Sequence, residues 1–390
     1  SPWVSSFPSS SCEENIALAM CKPKLPGMFH RTPRVLIALF ALAVIATACS
    51  SDTSDDSTTT TTTQAPTTTS TTEPSTTTST ATSSTTTTLP TIEVSEAING
   101  LPADEALIDR RMVAVKIDNH PNARPQSGLE QADAVFEVLV EGGLTRFIAM
   151  FHQSDLEYVG PNRSGRITDS KVMSAMGDSV LQISGAQPWV QAILAADGIN
   201  VSYDNGSTTY RVSGRSAPHN LYTSTLAIRD YADARGWSDE GPGNLFVFGD
   251  ATPGEAEATT IEVPFSDRPP STWAWDGERY LRFQGTSAHE WIDAEGETGQ
   301  VAYDTLVVMK MDKYIARDPA GVGSSIPTVE TVGTGEALVF HHSEVLSGTW
   351  ERGSLEDPFT LLTATGSDIV LPPGTVWVHL VPETFTVTWE

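Results

Sequence analysis

The stretch EVLVEGGLTRF, Glu137 to Phe147, sets two carboxylates and one guanidinium around a Gly-Gly pair. A little further on, VGPNRSGRITDS gathers Arg163, Ser164 and Arg166 just ahead of a segment with helical signals. Guanidinium forks, a hydroxyl and the open amides of a helix start are what a phosphate or carboxylate needs. A third group, YRVSGRSAPHNLYTS, holds Arg211, Arg215, His219, Asn220 and Tyr222. Arg146, Arg163, Ser164, Arg166, Arg211 and Arg215 are therefore the anion-binding candidates. Asp118, Glu137, Glu141, His219 and Asn220 are candidates for orienting them or for carrying a proton, since a histidine titrates near neutrality. The bland alternatives are surface pairing of the arginines in an acid-rich chain and a histidine held by its Asn and Tyr neighbours. Glu137, Glu141 and Arg146 would then form a solvated network of little energetic weight.

Other chemistries find less support. Asp118, Glu137, Glu141 and His219 offer the oxygen and nitrogen ligands of a divalent cation, but nothing in their spacing fixes a geometry. No metal and no cofactor is assigned. The only cysteines are Cys12, Cys21 and Cys49, so no thiol chemistry is available beyond residue 49. The Walker pattern, the Gly-x-Ser-x-Gly elbow and the His-Glu-x-x-His helix are absent from the sequence. His341-His342 has no ligand-spaced partner, and Trp273, Trp275, Trp350 and Trp377 read as packing on strands more than as a carbohydrate platform.

The elements that must carry these residues begin with RMVAVKIDN, where Val113, Val115 and Ile117 alternate with Ala114, Lys116 and Asp118 as in a strand. Gly142 and Gly143 suit a two-residue hairpin loop, which pairs Glu141 with Leu144, Leu139 with Arg146 and Glu137 with Ile148. In that register Arg146 shares a face with both glutamates, and Phe136, Val138, Val140, Phe147 and Ala149 form the apolar face. TDSKVMSAMGDSVLQ, AQPWVQAILAADG and STLAIRDYADARG carry helical signals, and VLQIS and INVSYDNG read as strands between them. After GPGNLFVFGD only turn-bounded strand patterns follow, including a two-residue hairpin signal at Asp276-Gly277. The expected class is α+β: an α/β domain over residues 99–250, then a β-rich domain over 251–390.

The formal charge of -26 argues against nucleic acid as a partner and against a polybasic membrane patch. From Met28, MFHRTPRVLIALFALAVIATACSS combines Arg31 and Arg34, a short apolar run and small residues ending at Cys49. That is a lipoprotein export signal over residues 28–49 with Cys49 as the lipidation site; the run is shorter than the roughly 20 residues a bilayer span needs. Residues 1–27 read as sequence upstream of the true start. Residues 50–98 are a Thr/Ser-rich tether, too poor in apolar side chains to fold.

The blocks MVAVKIDNHPNARPQSGLEQADAVFEVLVEGGLTRFIAMF, VGPNRSGR, APHNLY and the long C-terminal block starting GTGEALVFHH and ending VWVHLVP resemble the YerB-like lipoproteins of Gram-positive bacteria. That family has N- and C-terminal parts and no settled activity. Asn162 and Gly165 stand where the family leads one to expect an apolar residue and alanine. The resemblance implies a lipid-anchored protein on the outer face of the cytoplasmic membrane. The resulting expectation is a non-catalytic protein that binds an anionic cell-envelope ligand or a partner protein. The alternative is an envelope enzyme acting on phosphoryl or glycosyl groups of cell-wall precursors, by a loose analogy with the LytR-CpsA-Psr phosphotransferases.

Overall fold

The computed structural model describes residues 95–390, so the signal and most of the tether lie outside the described residues. The first five strands are β1 (Val113–Asp118), β2 (Ala134–Leu139), β3 (Thr145–Phe151), β4 (Val180–Gln182) and β5 (Asn200–Ser202). They form one half of an 11-stranded sheet whose other half comes from the C-terminal part of the chain. The junction is the strand Val376–Pro382, which runs parallel to β2 with Phe136 opposite Val378, and parallel to Thr305–Met311 on its other side. The change of sequence pattern near residue 250 is thus crossed by a single sheet, and residues of both halves share its core. The fold is β-rich. All described α-helices precede Gly236, and they are short: α1 (Ile167–Met173), α2 (Pro188–Ala196) and α3 (Thr225–Arg235).

Burial explains why β1 looks like a half-exposed strand in sequence but is not one. All six of its residues are buried, because β3 and β4 flank it and both sheet faces are covered. On one face α1 and α2 contribute Val172, Met173, Val190 and Leu194 to a core with Ala114, Phe136, Val138 and Ile148. On the other, α3 and a six-stranded sheet that includes Thr260–Val263, Ser271–Trp275 and Tyr280–Gln284 cover Val113, Val135, Phe147 and Ala149. α2 begins with Pro188, whose missing N–H is no loss at a first helical position. α3 is capped by Ser224, whose Oγ accepts from the Ala227 amide at 3.3 Å, and is closed by Gly236 at φ 68°.

The hairpin differs from its expected register by one residue. Its loop contains three residues, Glu141, Gly142 and Gly143, with both glycines at φ 70°, and Val140 N–H donates to the Leu144 carbonyl at 2.8 Å. Glu137 therefore lies opposite Phe147, and Val138 opposite Arg146. A slip of one residue exchanges the faces of a strand, so Glu137 and Arg146 point to opposite sides of the sheet. The Asp276-Gly277 hairpin is likewise longer than its signal: Trp275 pairs with Tyr280, leaving residues 276–279 in the loop. There Asp276 Oδ1 accepts the Glu278 and Arg279 amides, each at 2.8 Å. Trp273, Trp350 and Trp377 are buried and Trp275 is half-buried.

Candidate anion-binding site

Adjacent strands bring the first polar group together. In the β1–β3 ladder Asp118 stands opposite Arg146 and Lys116 opposite Ile148, so Lys116, Asp118 and Arg146 share the face packed by α1. The segment after residue 160 then crosses β1: the Asp118 amide donates to the Pro161 carbonyl at 2.9 Å and the Arg163 amide to the Lys116 carbonyl at 2.7 Å. This crossing sets Arg163 Nε 3.2 Å from Asp118 Oδ2. The same oxygen receives His219 Nδ1 at 2.9 Å, and His219 stacks on His120 with ring centres 4.8 Å apart. Arg166 Nε donates to Glu141 Oε2 at 2.8 Å. Lys116 is paired with Asp169 of α1, wholly out of solvent.

Arg146 is the exception within the group. It is 8% exposed, its Nη1 donates to the Ser164 carbonyl at 2.7 Å, and its Nε has no partner. Among the described residues no carboxylate reaches it within 4.0 Å, although Arg163, Arg166 and Lys116 are each paired. Four cations, Lys116, Arg146, Arg163 and Arg166, face three carboxylates, Asp118, Glu141 and Asp169, leaving one positive charge in excess before His219 is counted. The electrostatic signature agrees. Burial lowers Arg146 to about 10, with Arg166 and Arg163 pushing further down against Asp118. Burial likewise lowers Lys116 to about 8, against the pull of Asp169 and with help from Arg146 and Arg166. For Glu141 burial would raise the pKa, but the Arg166 guanidinium outweighs it and the net shift is downward.

Arg146, Arg163, Arg166 and Glu141 thus converge, with Asp118 and His219 at their side. The helix start adds less than its sequence suggests, because the Arg166 amide is already taken by Asp169 Oδ2 at 2.8 Å. Ser164 contributes its carbonyl, while its hydroxyl lies 3.4 Å from that of Ser184. Arg211 stays apart, exposed on its own hairpin with Asn220 Oδ1 at 2.8 Å and Asp204 at 3.3 Å. Arg215 donates to the carbonyls of Ala123 and Pro125, and with Arg124 and His219 it lines an open basin of 690 Å³ beside the cluster. The four residues weighed as a cation site are not assembled, since Glu137 is on the other face and Glu141 is held by Arg166. Gly165 has a packing reason: a Cβ there would meet Ile183 at 2.8 Å.

Glu137 belongs to a second network, between the two sheets. Arg282 Nη2 donates to both of its oxygens at 2.9 and 3.1 Å, Thr145 Oγ1 donates at 2.7 Å and Trp377 Nε1 at 3.1 Å. Arg282 lies over the rings of Phe147, Trp273 and Trp377, and its far side meets His289, which bonds Gln126 Oε1 at 2.7 Å. His379 completes the group, accepting from Trp273 Nε1 at 3.1 Å. Burial would raise the Glu137 pKa, but Arg282 and His379 overcome it and hold the carboxyl below its usual range. Sequence reasoning missed Lys116, Asp169 and Arg282. A lysine at an inward position of an apolar strand is the one signal that could have pointed to the first pair.

Comparison with known proteins places these features in a wider set. Residues 98–238 match the family described as protein of unknown function (DUF3048), N-terminal domain, and residues 261–378 match its C-terminal domain. The "Putative lipoprotein YerB" of Bacillus subtilis (strain 168) is 30% identical over 293 residues, which span 73% of this chain and 86% of that protein. The crystal structure of the YerB protein from Bacillus subtilis superposes with a TM-score of 0.66 at 26% identity, covering 76% of this chain and 100% of the other.

Proposed function

We propose, from the premise that this chain belongs to the YerB-like DUF3048 family, that it is a lipid-anchored envelope protein which binds a phosphate-bearing ligand through Arg146, Arg163 and Arg166. The observation that carries this reading is Arg146: a nearly buried guanidinium with no carboxylate partner, set between two arginines that each have one. A buried cation without a counter-charge is costly. An anionic ligand would supply that charge and gain charge-assisted bonds from a fork pre-positioned by the Ser164 carbonyl. The lipobox-like sequence ending at Cys49 and the polar tether support an extracytoplasmic location.

The test is co-sedimentation of a soluble Cys49→Ala protein with vesicles that carry a polyprenyl phosphate, against vesicles of neutral phosphatidylcholine. Binding to the first alone, lost in the Arg163→Ala/Arg166→Ala double variant, is expected. Equal retention on both vesicles, or none on either, would overturn the proposed ligand class. An enzymatic reading on phosphoryl or glycosyl groups rests on one further observation, the Asp118–His219 pair beside Arg163. A carboxylate that orients an imidazole at an anion site is the arrangement of a proton carrier. It predicts slow turnover of a phosphate ester that His219→Gln abolishes without weakening binding.

A further inference from the structure

The back of the same hairpin borders a cavity that the anion site does not use. It has a volume of 270 Å³ and opens between the β2–β3 turn and the smaller sheet, with Phe265, Leu144, Pro121 and Pro269 among its apolar walls. That is just below the roughly 300–1,000 Å³ typical of small-molecule sites, so it suits a compact molecule. Glu137 is part of its floor, but Arg282, Thr145 and Trp377 already neutralise and saturate that carboxylate. The amides at the wall are also satisfied internally: Asn119 donates to Thr145 and Gln284, and Gln284 donates to the carbonyls of Pro269 and Pro270.

What remains open in the lining are donors. Arg124 uses Nε and Nη2 on Asn119, and Arg268 uses Nε on the Gly142 carbonyl, yet neither arginine has a carboxylate within 4.0 Å among the described residues. Ser271 is 1% exposed and its hydroxyl has no partner. The free edges of both guanidiniums therefore face the cavity without a counter-charge from the protein. Burial, then the neighbouring Arg282, lowers the Arg124 pKa to about 10, consistent with a cation short of counter-charge.

We propose that this cavity is a second ligand site, distinct from the arginine cluster on the other sheet face, and that it takes a small organic carboxylate with an apolar body. The carboxylate sits between the free Nη groups of Arg124 and Arg268 and accepts from Ser271 Oγ, while the apolar part lies against Phe265 and Leu144. A planar carboxylate fits two guanidinium edges, and the apolar walls disfavour a fully hydrated inorganic anion. Residues from both halves of the chain build the site, so it exists only in the complete fold.

The probe is benzoate, with benzyl alcohol and inorganic phosphate as controls, titrated into the isotope-labelled full chain while the indole N–H signals of Trp273 and Trp377 are followed. Benzoate is expected to shift them saturably, and the two controls are not. Arg268→Ala and Ser271→Ala should each weaken benzoate at least five-fold, whereas Arg163→Ala/Arg166→Ala should leave it unchanged. Arg268 is exposed and the Ser271 hydroxyl has no hydrogen-bond partner, so both variants are expected to fold, and an unchanged melting temperature verifies it. The proposal is overturned if benzoate gives no saturable shift, if benzyl alcohol or phosphate binds as well, or if the Arg163/Arg166 variant loses the response.

Discussion

Glu137 and Arg146 lie on paired strands, and their side chains leave the sheet in opposite directions. Glu137 faces Phe147 and is bonded by Arg282; Arg146 faces Val138 and donates to the Ser164 carbonyl. One hairpin thereby serves two polar sites, each insulated from the other by the sheet.

The Glu137–Arg282 pair is a buried structural tie. Glu137→Gln leaves Arg282 wholly buried with its charge uncompensated, which should cost about 3–5 kcal/mol of stability. Arg282→Met with Glu137→Gln should recover part of that loss, because removing both charges removes both desolvation costs. Denaturant melts of the single and double variants check this; a double variant that is less stable than Glu137→Gln would show that the pair is net stabilising.

Acid should loosen the same region. Burial, together with Arg282 and against Glu137, lowers His379 from 6.5 to about 4, so the unfolded chain takes up this proton first as pH falls. The stability of the neutral imidazole is therefore present above about 6.5 and lost between there and about 4. Glu137, whose folded pKa is depressed, adds a loss below its ordinary range. Asp133 acts in the opposite sense: burial raises it to about 6, and its contribution fades as pH rises toward that value. Melting temperatures of wild type and His379→Gln from pH 7 to pH 4 should converge on acidification. A constant gap would remove His379 from the account.

The loop glycines predict unequal costs. Both sit at φ 70°, so alanine at either should cost about 1 kcal/mol from backbone conformation. A Cβ on Gly143 would also lie 2.8 Å from Ser266 Oγ, whereas one on Gly142 meets only an Arg268 nitrogen at 3.9 Å. Gly143→Ala should therefore lower the melting temperature more than Gly142→Ala. Equal losses would show that the loop relaxes.

Much of the organisation was legible because it depends on local pattern. β1, α2 and α3 carry apolar periodicity and end signals, and the long C-terminal run of strands follows from the absence of helical period. The sheet that joins the halves was not, since nothing local in β2 or in Val376–Pro382 encodes their parallel pairing over 240 residues of chain; Trp377 and Glu137 meet only through it. The convergence of Arg146, Arg163 and Arg166 was readable from their chemistry and position. The exclusion of Glu137 was not, because two-residue and three-residue Gly-Gly loops look alike in sequence and differ by a whole face of the strand.

Anchoring is tested separately from binding. On the proposed lipoprotein reading, which makes the preceding apolar run an export signal and Cys49 its acylation site, Cys49→Ala should move the protein from the membrane fraction to the soluble one. A variant that stays membrane-bound with its signal uncleaved would mean a different anchor.

The most direct test of the arginine site is calorimetric titration of inorganic pyrophosphate into wild type and into the Arg163→Ala/Arg166→Ala variant, with melting temperatures measured in parallel. Arg163 and Arg166 are partly exposed, Asp118 keeps His219 as a partner when Arg163 is removed, and Glu141 is itself part-exposed, so their loss should lower stability only modestly. Saturable binding by wild type, at least ten-fold weaker in the variant at an only modestly lowered melting temperature, is the predicted result. No saturable binding by wild type would contradict the account, and a double variant that then also unfolds readily would mean that these arginines hold the fold together and bind no anion.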